Sequence, residues 1–132
     1  MGGQTVPDYI VISVMHTLRE HRYITLWAED DKGYRWRLSR AGRYSNDRIM
    51  AHLDYYNTGS NIAVPVAVVE SLARPGNPRD FDGVTLDMPV SELLAVPNTK
   101  DVWKTLLANV IAPTKYKPHP EYPGARRRKE AA

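Results

Sequence analysis

Three apolar runs stand close together near the start of the chain, and their spacing restricts the fold more than any other feature. They are YIVISVMH (9–16), YITLWA (23–28) and YRWRL (34–38), each rich in β-branched or aromatic residues. The residues between them, 17–22 and 29–33, are too few for a crossover, so neighbouring strands must run antiparallel. A three-stranded meander is therefore expected. The first run is the densest and should be well buried. The third alternates strictly. Tyr34, Trp36 and Leu38 then share one face, and Arg35, Arg37 and Ser39 the other. One-sided burial is normal in antiparallel sheets, so the aromatics are expected in the core and the arginines in solvent.

Helical signals follow. Ser45 can cap a helix from about Asn46, with Asp47 in its first turn and Ile49, Leu53 and Tyr56 on one face. Ile62-Ala63-Val64 reads as briefly extended, and Pro65 at the first helical position opens PVAVVESLA, with a strand as the alternative for 65–73. Residues 74–83, RPGNPRDFDG, read as loop, and Pro89–Leu94 as one helical turn. The clearest helix follows Pro97. Asn98 or Thr99 caps it, Val102, Trp103, Leu106, Leu107, Val110 and Ile111 form its apolar stripe, and Pro113 stops it. The expected fold is α+β, a meander of three or more antiparallel strands against two or three helices. Residues 1–112 would form one domain, and 113–132 an extended or disordered basic tail rich in proline. Tyr23, Leu26 or Trp27, Tyr34, Trp36, Leu38, Leu106, Leu107 and Val110 are the expected core.

Charge needs a segmental reading. The chain carries +3, but residues 113–132 hold six cations against two acids, a balance of +4. Residues 1–112 therefore carry −1, and the high isoelectric point belongs to the tail. There is no cysteine, which excludes disulfides, thiol catalysis and cysteine-bound zinc. No apolar run is long enough to span a bilayer, and MGGQTVPDY lacks the pattern of a secretory leader. The expectation is a cytoplasmic protein without membrane association.

The segment KGYRWRLSRAGRY (32–44) has five cations, no acid and three large aromatics. A single-strand binding platform needs aromatics and cations on one exposed face, and the pleat should separate them. What remains is a surface of Arg35, Arg37, Arg40 and Arg43, joined by Arg19 and Arg22, suited to phosphates or an acidic protein surface. Arg126, Arg127, Arg128 and Lys129 add a second basic cluster for nucleic acid. His16 and Glu20, with His52 and Asp54, are the residues whose convergence would make an enzyme. Their local spacing does not bring them together, and His21 and His119 have no neighbouring ligand type. Glu29-Asp30-Asp31 reads as a solvated hairpin tip, and DFDG (80–83) as a turn lacking the later ligands of a calcium loop. No phosphate loop or nucleophile elbow is present. No catalytic residue, metal or cofactor is expected.

Trp27, Gly33-Tyr34, Trp36, Ala41-Gly42, Tyr44, Tyr55-Tyr56-Asn57 and Ile62-Ala63-Val64-Pro65 together resemble small accessory proteins of temperate phages and prophages, in a GYxWxLxxAGxY … IAVP pattern. Val96-Pro97-Asn98-Thr99 and Trp103 extend the likeness, which covers roughly 9–112. The resemblance implies a role in an infected bacterium. It points to a non-enzymatic protein that binds a host or defence-system protein complex, of anti-CRISPR or other counter-defence type. Arg35, Arg37, Arg40 and Arg43 are the contact residues proposed for that partner, and nucleic acid is the alternative.

Overall fold

A computed structural model describes residues 8–125. Strands β1 (Tyr9–Ser13), β2 (Thr25–Trp27) and β3 (Tyr34–Arg35) form the expected antiparallel meander. A fourth strand, β4 (Asn61–Pro65), pairs along the whole of β1, giving the order β3-β2-β1-β4. With its helices this is an α+β fold. Among the described residues no helix is long and apolar enough to cross a membrane.

The sheet is covered on both faces, which explains why β1 reads as a continuous apolar run. Ile10, Ile12, Ile24, Leu26, Ile62 and Val64 face one layer of helices, α3 (Val66–Leu72) and α4 (Lys100–Ala108), and pack on Val66, Val69, Trp103 and Leu106. Tyr9, Val11, Trp27 and Ala63 face the other, α1 (Asn46–Ala51) and α2 (Leu53–Tyr56), and pack on Tyr44, Ile49 and Tyr56. Each fully buried aliphatic side chain contributes about 1.5–3 kcal/mol, so β1 feeds two cores from five residues.

Local chemistry sets the boundaries. Ser45 Oγ accepts the Arg48 amide at 3.1 Å and starts α1. His52, at φ −138°, leaves helical space and divides the expected continuous helix into α1 and α2. Pro65 ends β4 in extended backbone and is the cap of α3, one position ahead of the place expected. Thr99 caps α4, and the helix ends at Ala108, before Pro113. Gly42 lets the chain cross β2 closely. A Cβ there would lie 2.6 Å from Glu29 Cα, and its amide donates to Trp27 O at 2.9 Å.

Two segments carry more structure than their composition suggests. Within the expected loop, β5 (Arg74–Pro75) pairs with β6 (Leu94–Ala95), and Tyr23, Phe81 and Ala95 form a small third core beneath it. Residues 113–125 contain no helix or strand, yet they lie against the domain. Tyr116 N donates to Thr58 O at 2.8 Å, Arg19 meets Glu121 at 3.7 Å, and Tyr122 packs on the first core.

Candidate functional site

The third strand departs from its alternating pattern. It is regular only for Tyr34 and Arg35, at the edge of the sheet, with β2 as its strand partner. The chain then leaves the sheet, makes a bridge from Arg37 to Ala95, and turns through a short 3-10 segment at Leu38–Arg40. Two expectations are corrected. Tyr34 is not core but 44% exposed. Arg37 is not solvated but 7% exposed: its Nε donates to Glu92 O at 2.8 Å and its Nη2 to Glu92 Oε2 at 2.6 Å. Alternation cannot persist where the strand stops after two residues, and the partner of Arg37 lies 55 positions away. Trp36 and Leu38 are half-buried.

This departure opens a cleft of about 720 Å³ beside β3. His16, His21, Tyr34, Arg35, Trp36 and Arg40 line it, with Leu18, Thr25, Arg37, Phe81, Asp80 and Asp82. His16 stacks on Tyr34, ring centroids 4.2 Å apart, and is held by Ser13 Oγ, 3.0 Å from its Nδ1. His21 meets Trp36 edge-on at 5.2 Å, and Tyr23 lies 5.5 Å from Trp36. Asp80 is engaged: it accepts the Tyr23 hydroxyl at 2.7 Å and faces Arg22 at 3.7 Å. Burial, followed by this bond to Asp80, raises the Tyr23 pKa. The Ser39 hydroxyl, then Arg37, holds the Glu92 carboxyl below its usual value.

The four arginines of the expected contact face separate into two pairs. Arg37 is joined to Glu92, and Arg43 lies 3.6 Å from Glu70 on α3. Arg35 and Arg40 have no carboxylate at ion-pair distance among the described residues, and both line the cleft. The Arg35 guanidinium makes one bond, from Nη1 to its neighbour's carbonyl, Tyr34 O. Arg126, Arg127, Arg128 and Lys129 lie outside the described residues.

The structure does not bring the enzyme candidates together. His16 is in the cleft, Glu20 is exposed on the β1–β2 connection, and His52 packs edge-on to Tyr56 at 6.5 Å, beside exposed Asp54 on α2. Among the described residues no hydrogen bond or ion pair joins any two of the four, and no three His, Asp or Glu residues are grouped to hold a metal ion. A polar network that the sequence reading missed lies elsewhere, at the tip of the β2–β3 turn. Asp30 and Asp31 both take positive φ, 52° and 60°. Arg48 holds them at 3.1 and 3.2 Å and lies over the rings of Tyr44 and Tyr56. The Tyr44 hydroxyl donates to Ala28 O and accepts the Asp31 amide, and burial pushes its pKa up to about 12. The available signal was three acids before Gly33 and one arginine on α1, which does not specify their convergence.

Comparison of the chain with protein-family models, with curated proteins and with solved structures gives no match.

Proposed function

We propose that this is a non-enzymatic binding protein whose recognition surface is the cleft beside β3. One observation carries the reading: exposed Tyr34, half-buried Trp36 and two arginines without a carboxylate partner among the described residues line a single cavity. Tyrosine, tryptophan and arginine are the side chains that most often dominate binding energy. Fixing the aromatics by stacking lowers the entropic cost of docking on them. Leu18, exposed at the same cleft, and Met15 on the same connection add apolar contact area.

The resemblance to phage accessory proteins supplies the setting: the cytoplasm of an infected bacterium, with a host or defence-system protein complex as partner and counter-defence as outcome. The test is recovery of partners from bacterial lysate with the intact protein as bait, beside Tyr34→Ala and an Arg35→Glu/Arg40→Glu variant. The expected result is a defined complex retained by the wild type and lost by both variants. Empty recovery with folded bait, or equal recovery by all three, would sink the proposal.

Nucleic acid is the second reading, and a specific observation favours it. The pleat was expected to keep aromatics and arginines apart, and the cleft unites them.

A further inference from the structure

We infer that the cleft beside β3 takes a nucleotide unit, a planar base carrying a phosphate, with the base against Tyr34 and Trp36 and the phosphate at Arg35 and Arg40. The inference rests on the cleft being the recognition surface, but not on the partner being a protein.

Size and shape fit first. A cavity of about 720 Å³ lies inside the range of roughly 300–1,000 Å³ typical of small-molecule sites. Its aromatic lining suits a flat ring. Tyr34 is stacked on His16 with 29° between the ring planes, so the pair presents a prepared platform. Trp36 is steadied edge-on by His21. Base-on-aromatic stacking tolerates any base, because every base has a π face.

Charge fits second. Arg37 and Arg43 face carboxylates, whereas Arg35 and Arg40 have none at ion-pair distance among the described residues. A guanidinium presents a planar fork of donors that matches a phosphate. Of the three guanidinium groups that line the aromatic cavity, Arg37 is held by Glu92, and Arg35 and Arg40 are left to meet an anion joined to a ring. Exposed Asp82, at the same cleft, is an acceptor for a base amine or a sugar hydroxyl. An acidic peptide would satisfy the arginines, but its carboxylates leave the stacked rings without a planar partner. The basic cluster at Arg126–Lys129 is not needed for this site.

The salt response separates the cleft from the tail. Two phosphate contacts to a single strand give log K against log salt a slope of about −1.4, at about 0.7 per phosphate. Recruitment of Arg126, Arg127, Arg128 and Lys129 would roughly triple it.

The test uses the full chain and three fluorescein-labelled probes, read by anisotropy at low and moderate salt. They are a ten-nucleotide single-stranded oligonucleotide, a duplex of the same sequence and a nucleoside monophosphate. Trp fluorescence is read in parallel with unlabelled probes, Trp36 being the one of the three tryptophans that lines the cleft. Tyr34→Ala, Arg35→Gln/Arg40→Gln and Arg126→Gln/Arg127→Gln/Arg128→Gln are compared with the wild type, with near-ultraviolet circular dichroism confirming that each is folded. The expected result is single-strand binding above duplex binding, weakened about tenfold or more by Tyr34→Ala and flattened in its salt slope by the Arg35/Arg40 variant. The tail variant should keep the Tyr34 dependence. Monophosphate binding as tight as strand binding assigns the unit to a free nucleotide, and binding only of the strand assigns it to single-stranded nucleic acid. Either supports the inference. No binding of any probe at low salt overturns it, as does binding indifferent to both Tyr34 and Arg35/Arg40. If no probe binds while Tyr34→Ala still abolishes recovery of a protein partner, the nucleotide inference falls and the cleft remains a protein-binding surface.

Discussion

Arg37 Nη2 lies 2.6 Å from Glu92 Oε2, and this ion pair fastens the segment after β3 to the 3-10 turn at Val90–Leu93. It has two consequences. It fixes one lining residue of the cleft, and it removes a positive charge from the surface that Arg35 and Arg40 present. Removing one partner of a pair with one end buried exposes the other to an unpaired charge. Glu92→Ala is therefore expected to lower the melting temperature by several degrees, because Arg37 loses its carboxylate acceptor and keeps only the bond to the residue 92 backbone carbonyl. The Arg37→Met/Glu92→Met double variant should recover much of that loss. A double-mutant cycle of melting temperatures checks it, and additive losses would contradict the coupling.

The same pair makes stability sensitive to acid. The Ser39 hydroxyl, and then Arg37, depresses the Glu92 pKa, so the folded state binds the proton less readily than the unfolded chain does. Its contribution is complete above the usual carboxylate value and is lost as pH falls through the folded value. Wild type minus Glu92→Gln, followed by denaturant titration from pH 6 to pH 3, should shrink towards the acid end. A constant difference would show that the carboxylate is not stabilised by folding.

At the opposite end of the pH scale, Tyr44 governs. Burial raises its hydroxyl pKa from 10 to about 12, so its contribution is complete below pH 10 and is lost as pH rises towards 12. Tyr44→Phe leaves Ala28 O and the Asp31 amide without this partner, at a cost of about 1–3 kcal/mol at neutral pH. The variant should lose less stability than the wild type between pH 10 and pH 12. Parallel alkaline curves would contradict that assignment.

Asn98 shows how much of this fold a local reading can and cannot reach. PNTK is a good capping sequence, and Thr99 does cap α4. Asn98, an equal candidate by residue type, is instead a buried crosslink. Its Nδ2 donates to Leu18 O and His21 O at 3.2 and 2.9 Å, and its Oδ1 accepts Trp103 Nε1 at 2.6 Å. Asn98→Ala would orphan His21 O and Trp103 Nε1, while Leu18 O keeps the His21 amide, and is expected to cost about 2 kcal/mol or more, whereas Thr99→Ala should cost about 1 kcal/mol. Equal losses in thermal or denaturant unfolding would refute the distinction.

The same contrast runs through the molecule. The meander, the Ser45 cap and the α4 stripe from Val102 to Leu107 were legible because their causes lie within a few residues, whereas Val110 and Ile111 lie beyond the helix, which ends at Ala108. The exposure of Tyr34, the burial of Arg37 and the cleft between them depend on β3 stopping at Arg35 and on Glu92, far along the chain. Period-two reasoning assumes a strand long enough to have two faces, and two residues at a sheet edge do not make one. His16 reached the site from a connection that offered no ligand pattern. Only its stacking on Tyr34 reveals a role.

Gly59 links the domain to residues 113–125. It sits at φ 114°, and a Cβ there would clash with Tyr116 O, next to the bond from Tyr116 N to Thr58 O. Alanine would impose both left-handed strain and a backbone clash, costing about 2 kcal/mol or more. Gly83 is the control, since its φ of 73° brings the strain alone and a Cβ there meets nothing within 4 Å. Gly83→Ala should cost about 1 kcal/mol. Gly59→Ala should also loosen the docked segment, so trypsin should cleave after Lys115 several times faster than in Gly83→Ala or the wild type. Equal cleavage in all three would show that the close approach at Gly59 does not hold residues 113–125 in place.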